Sequence, residues 1–184
     1  DESSTGNSFD LIVRATDGVT PDDETITITI TDTAPTVTDN DQNLAETASV
    51  GATVASMATT GDTTGLTWSI ASGNENSDSD GTSAFAIAAA TGVITLADAD
   101  DIDYETAADA SFALVVQATD GVTADTETIT ITITDVATAI TNGQSASLAE
   151  NSAASTAVMT VANTGDSVTT WLLPGTGNSD QDGD

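Results

Sequence analysis

Apolar residues fall on every second position in several short runs of this chain. Phe9, Leu11 and Val13 form one run; Ile26, Ile28 and Ile30 form another, interleaved with Thr25, Thr27, Thr29 and Thr31. A period of two sends alternate side chains to opposite faces of an extended strand. Each run therefore predicts a strand with one face for a core and one β-branched, hydroxyl-bearing face for water. Phe112, Leu114 and Val116, and then Ile129, Ile131 and Ile133, repeat both patterns. Turn signals punctuate the runs at Asp17-Gly18, Gly61-Asp62, Gly65, Asp80-Gly81, Thr91-Gly92 and Asp120-Gly121. No stretch of about twelve residues carries a helical period, and the alanines at 88–90 run straight into Thr91-Gly92.

Laid against itself, the chain repeats. FDLIVRATDGVTPDDETITITITDTA from Phe9 returns as FALVVQATDGVTADTETITITITDVA from Phe112, a spacing of 112 − 9 = 103. LAETASVGATV at Leu44 returns as LAENSAASTAV at Leu148, and Trp68 returns as Trp171. Such a period suits one complete all-β domain. It divides the chain into 1–36, the C-terminal part of one repeat; 37–140, a complete repeat; and 141–184, the N-terminal part of the next. Roughly seven short strands per repeat predict an all-β fold of tandem Greek-key β-sandwiches.

Charge changes the picture. Thirty acidic residues stand against one basic residue, Arg14, for a net charge of -29, and aromatics make up 3%. That balance alone is a signature of disorder. The 38% hydrophobic content, ordered into alternating runs, argues for a packed fold whose repulsion bound cations would offset. Without a basic surface the chain is not expected to bind nucleic acid or an anionic membrane. No apolar run approaches the roughly 18 residues of a membrane span, and no leader pattern opens the chain, so any export signal or anchor is expected outside this stretch. Zero cysteine and zero histidine remove disulfides, thiol catalysis and the usual general base and zinc ligands.

The middle repeat carries, in order, Glu46, WSIASGNE (Trp68 to Glu75), FAI (Phe85 to Ile87), TGVITL (Thr91 to Leu96), DYE (Asp103 to Glu105), VQATDG (Val116 to Gly121) and ITITITD (Ile129 to Asp135). That order resembles the cadherin repeat, a cadherin-like or Ig-like β-sandwich. The scarcity of basic residues and absence of cysteine look more like the tandem repeats of large bacterial surface adhesins than like animal adhesion receptors. The resemblance implies Ca²⁺ bound where consecutive repeats join. Calcium takes six to eight oxygen ligands at about 2.3–2.6 Å, so carboxylates from several loops must converge. Carried over by position, Glu46, Asp103, Glu105 and Asp135 would serve the lower junction, with Glu150 beginning the equivalent set of the third repeat. Asp120, Asp32 and Glu2 would serve the upper one. Asp62 stands near the place of a second acidic pair, whereas Asp98 lies outside the matched motif. The chain departs from the family at the linkers, where Asp32-Thr33-Ala34-Pro35 and Asp135-Val136-Ala137-Thr138 lack the family's further ligands. One or two ions per junction are then expected, not three.

A loop with oxygen-bearing side chains at alternate positions, Asn74, Asn76, Asp78 and Asp80 before Gly81, resembles the start of a calcium-binding loop; a solvated turn rich in Asn and Asp is the plainer reading. Trp68 and Trp171 suit core packing better than sugar stacking, given their place in alternating strands. Asp98, Asp100, Asp101, Asp103 and Glu105 could pair as glycosidase carboxylates, but close carboxylate pairs arise by chance in so acidic a chain. The expectation is a non-enzymatic, extracellular, cell-surface stalk rigidified by calcium, its partners being the ions and the neighbouring repeats or subunits. A subunit of a self-assembling filament or surface layer is the alternative. A carbohydrate-binding module fits less well, since Tyr104 is almost the only aromatic it could expose.

Overall fold

The computed structural model describes residues 7–106, 108–166, 168 and 171 of the 184. Thirteen strands and no helix are found among them. In chain order they are β1 (Ser8–Thr16), β2 (Pro21–Thr29), β3 (Pro35–Val37), β4 (Gln42–Ala45), β5 (Thr53–Ser56), β6 (Thr59–Gly61), β7 (Thr67–Ser72), β8 (Phe85–Ile87), β9 (Val93–Leu96), β10 (Ser111–Thr119), β11 (Ala124–Thr134), β12 (Ala139–Ile140) and β13 (Asn163–Thr164). They belong to two compact units, Asp1–Thr134 and Asp135–Asp184.

The larger unit holds four sheets, the hairpin β1-β2, the short antiparallel pair β3-β6 and the two sheets that face the core. One runs β4-β11-β10-β7, with β10 antiparallel to both its neighbours and β4 parallel to β11; the other runs β5-β9-β8. The alternation read from the sequence becomes the core. Phe112, Leu114 and Val116 of β10 and Ile129, Ile131 and Ile133 of β11 are buried together with Phe85, Ile94 and Leu96 from the second sheet. The rings of Phe85 and Phe112 meet edge to face, centroids 5.0 Å apart at 85°, the arrangement favoured by the ring quadrupole. Trp68 lies in this core, as its alternating strand predicts. Its ring presses on Gly92, whose φ is +68° and where an added Cβ would sit 2.9 Å from Cε2. Only glycine fits that turn without moving the tryptophan.

The hairpin β1-β2 pairs in the register of β10-β11: Leu11 faces Ile26 as Leu114 faces Ile129. Its apolar stripe is nonetheless open to solvent, at 41–61% exposure for Phe9, Leu11, Val13, Ile26, Ile28 and Ile30. The strands form as the pattern requires, and among the described residues they make a two-stranded sheet of their own. Turn chemistry repeats as well. Asp17 Oδ1 accepts the N–H groups of Val19 and Thr20, and Asp120 Oδ1 those of Val122 and Thr123, so each Asp-Gly turn is held by its own carboxylate.

In the smaller unit β12 pairs with β13, and the Gln144 amide ties the chain to Ala162 through both its oxygen and its nitrogen. Trp171, expected in a core, is 48% exposed here.

Candidate metal centre

The end of the β4-β11 pair creates the first carboxylate group. Ala45 is in register with Thr134, so the next residue on each strand, Glu46 and Asp135, emerges at the same edge. The Glu46 N–H donates to the Thr134 carbonyl at 3.3 Å. Glu46 is buried, and its Oε2 accepts the N–H of Tyr104 at 3.1 Å, which draws the turn after β9 alongside. Carboxylate oxygens of Glu46, Glu105 and Asp135 lie within 4.8 Å of one another. Asp103, expected among them, does not join this group. It closes its own turn instead: Oδ1 accepts the Glu105 N–H and Oδ2 the Thr106 hydroxyl. The Thr106 hydroxyl bond holds the Asp103 carboxyl below its ordinary value.

At the upper end Asp32 and Asp120 converge on one hydroxyl. Thr123 Oγ1 stands 2.9 Å from Asp32 Oδ2 and 3.1 Å from Asp120 Oδ2. A hydroxyl has one proton to donate, so one of these two oxygens lacks a donor from it at any moment. Asp32 Oδ1 is shielded from solvent and has no hydrogen-bond partner. The backbone N–H groups of Thr123 and Val122 hold the Asp120 carboxyl below its ordinary value. Glu2, assigned to the same junction from the sequence, lies outside the described residues.

The 74–81 loop separates into parts. The Asn74 amide is engaged on both sides by Phe85, donating to its carbonyl at 2.7 Å and accepting its N–H at 3.0 Å, so it clasps β8 to the loop. Asp78 and Asp80 instead meet Asp98, the three again offering oxygens within 4.8 Å of one another. The Ala97 and Asp98 N–H groups both donate to the Ala84 carbonyl, which sets the segment just after β9 beside the end of the loop. Asp98 is thus part of an acidic group, contrary to its place outside the sequence motif. Asn76 keeps a shielded, unpartnered Oδ1. Asp62 Oδ1 accepts the Thr64 N–H in a turn, and neither Asp62 nor the exposed Glu150 belongs to a carboxylate group among the described residues.

These sites hold oxygen donors alone, and the chain's one guanidinium is elsewhere: Arg14 grips Asp23 through two bonds of 2.7 Å. The donor set fits a hard cation such as calcium or magnesium and does not fit a soft or nitrogen-seeking one. The orphaned Asp32 Oδ1, and whichever carboxylate oxygen the Thr123 hydroxyl leaves without its proton, are what a cation would satisfy.

Fold and site together define a chain of acidic β-sandwich repeats. No protein-family profile and no curated protein sequence matches it. Among solved structures it is similar to cadherin extracellular repeats at low identity. Mouse clustered PcdhgC3 EC1-3 is 22% identical over 70% of this chain and 44% of that one, with a TM-score of 0.49. Drosophila N-cadherin EC1-4 is 21% identical over 64% and 29%, with a TM-score of 0.49. Mouse Protocadherin-24 EC1-3 is 22% identical over 86% and 56%, with a TM-score of 0.46. The chain thus spans less than two thirds of each. With every TM-score below 0.5, the all-β assignment rests on the strand order and two-sheet core described above.

Proposed function

We propose that this chain is part of a calcium-rigidified extracellular stalk, a run of repeats in a large cell-surface adhesin of the bacterial kind. The observation that carries the reading is the Glu46, Glu105 and Asp135 group, assembled from three separated stretches of chain at the point where β11 ends. Three like charges at that spacing repel one another. An ion shared among them reverses the sign of the interaction and fixes the direction in which the chain leaves the sandwich. The same reasoning assigns Asp32 and Asp120 to the preceding junction, where the sequence pattern alone adds Glu2, and Asp78, Asp80 and Asp98 to an ion within the repeat. Asp103 then acts by shaping the turn that presents Glu105. A scaffold of this kind needs no catalytic group, and the glycosidase reading has no further support: the acidic residues sit at turn and strand ends, where they cap N–H groups.

The filament reading draws on one observation, the open apolar stripe of β1-β2, a surface that strands of a neighbouring subunit could cover. Small-angle scattering on two complete repeats joined in tandem, with calcium titrated in, tests the stalk. The expected result is a longer and narrower distribution of end-to-end distances with calcium than with chelator. An unchanged distribution overturns it, and growth in mass with concentration favours the filament.

A further inference from the structure

Two apolar surfaces of this chain correspond to the two sides of one packed core. The first is the β1-β2 stripe, whose counterparts on β10 and β11 are buried. The second lies in the smaller unit, where Ile140, Val161 and Trp171 are 39–62% exposed. Their counterparts one period earlier, Val37, Met57 and Trp68, are 5–7% exposed and sit in the same core as β10 and β11. Leu148 is open too, whereas its counterpart Leu44 packs against that core.

Each surface is built as the middle repeat builds its own. In the smaller unit β12 pairs with β13 in the register of β3 and β6, Ala139 facing Thr164 as Thr36 faces Thr60. Gly165 and Gly61 share a φ of +82°, and each backs onto a carbonyl, of Ala137 and of Ala34. On the other side, β11 carries β4 along its outer edge, with Leu44 beside Ile133, while among the described residues the sheet of β1 and β2 stops at β2. β3 packs across β10 and β11, and Asp125 Oδ2 accepts the Val37 N–H at 2.8 Å. Asp22 holds that place on β2, facing Ala15 as Asp125 faces Ala118, and Ile140 holds the place of Val37. The two open surfaces thus carry the pattern by which the middle repeat joins its parts.

We infer that chains associate head to tail, with Ile140, Leu148, Val161 and Trp171 of one copy covering the β1-β2 stripe of the next. Such a contact joins unlike surfaces, so it extends into a row of chains. No second FAI or TGVITL occurs in the chain, so the joint lacks counterparts of Phe85, Ile94 and Leu96 and forms only at high concentration. The net charge of -29 opposes it further, and salt relieves that repulsion. The inference rests on the open stripe behind the filament reading, names the partner of that stripe, and draws on none of the carboxylate groups.

The test uses the full chain in chelator with sodium chloride at about 0.15 M, where the screening length is about 8 Å. The parent should grow in mass with concentration, and Trp171 should become shielded from acrylamide over the same range, Trp68 being buried throughout. Leu11→Asp blocks the stripe and Val161→Asp the opposing surface; both residues are exposed, so neither change enters the core. Each variant alone should sediment as a single chain. An equal mixture should form a species of two chains and stop there, because each variant keeps the surface the other has lost. Val161→Asp chains that associate by themselves would mean that stripe meets stripe, which overturns the inference and leaves the filament reading standing. A parent of constant mass at every concentration overturns both. Trp171 equally shielded at every dilution also overturns the inference, since the cover then comes from within one chain.

Discussion

Glu46 Oε2 accepts the Tyr104 N–H across 58 residues of sequence, so one backbone bond fastens the end of β4 to the turn that carries Glu105. The carboxylates are thereby brought together by hydrogen bonds of the protein, before any ion arrives. A site assembled in this way costs little reorganisation on binding, and its repulsion is present whenever the ion is absent. Replacing one carboxylate therefore acts with opposite signs in the two states. Glu105→Ala should leave the chelated protein as stable as the parent or slightly more so, and should weaken calcium binding by roughly tenfold or more. Asp22→Asn, on the exposed hairpin, should do neither. Melts in chelator and calcium titrations of the two variants check this, and equal behaviour would refute the assignment. Asp98 is not a suitable control, because its carboxylate belongs with Asp78 and Asp80.

Calcium should raise the thermal midpoint of the chain. Extracellular modules bind it at roughly 10⁻⁴ to 10⁻³ M. At 100 times the dissociation constant each independent site adds about 2.7 kcal/mol, beside a total domain stability of roughly 5–15 kcal/mol. Calorimetric scans with calcium and with chelator measure the shift. Coincident scans would mean that no ion is bound by the folded state alone.

Acid should remove the contribution of Asp120 in a defined window. Backbone N–H groups hold its carboxyl below the ordinary value of 3.8 in the folded state, so the folded chain favours the ionised form more than the unfolded chain does. The stabilisation is complete above about 3.8 and is lost as pH falls through the lower folded value. In chelator, the midpoint difference between the parent and Asp120→Asn should stay level from neutral pH to about 5 and close below 3.8. A difference that closes near neutral pH would rule out this cause.

The repeat offers a matched pair of core positions. Ile131 is 0% exposed and Ile28, its counterpart, 46%. Ile131→Ala should cost about 2–5 kcal/mol, the range for emptying a packed site, while Ile28→Ala should cost about 1 kcal/mol or less, since little is withdrawn from water there. Denaturant unfolding of both variants decides it, and similar costs would mean that the hairpin stripe is covered in solution.

What the sequence made legible was local. Alternation located β1, β2, β10 and β11, and Asp-Gly located the turns closed by Asp17 and Asp120, because both signals operate within a few residues. The parallel docking of β4 on β11 was not legible, since no short-range pattern specifies which distant strand supplies a partner. The same blindness affected the site. Glu46, Glu105 and Asp135 were reached through their order in a family pattern, but Asp98 joins Asp78 and Asp80 through N–H bonds to Ala84 that no spacing announces. Asp103 was assigned by position, whereas its oxygens are drawn into the turn by Thr106 and Glu105. Burial was the least legible of all, as Phe9 and Phe112 show: one pattern, one register, and opposite surroundings.

The open stripe of β1-β2 also bears on colloidal behaviour. A row of large apolar side chains facing water is adhesive, and what keeps such molecules apart in solution is their shared negative charge. That protection is a property of pH and ionic strength. Near the isoelectric point of about 4.1, or wherever bound cations have neutralised the surface, that repulsion fades and exposed apolar rows such as this one are free to meet. Light scattering followed from neutral pH down to that point should find particles growing there, and an Ile28→Thr substitution should delay their appearance.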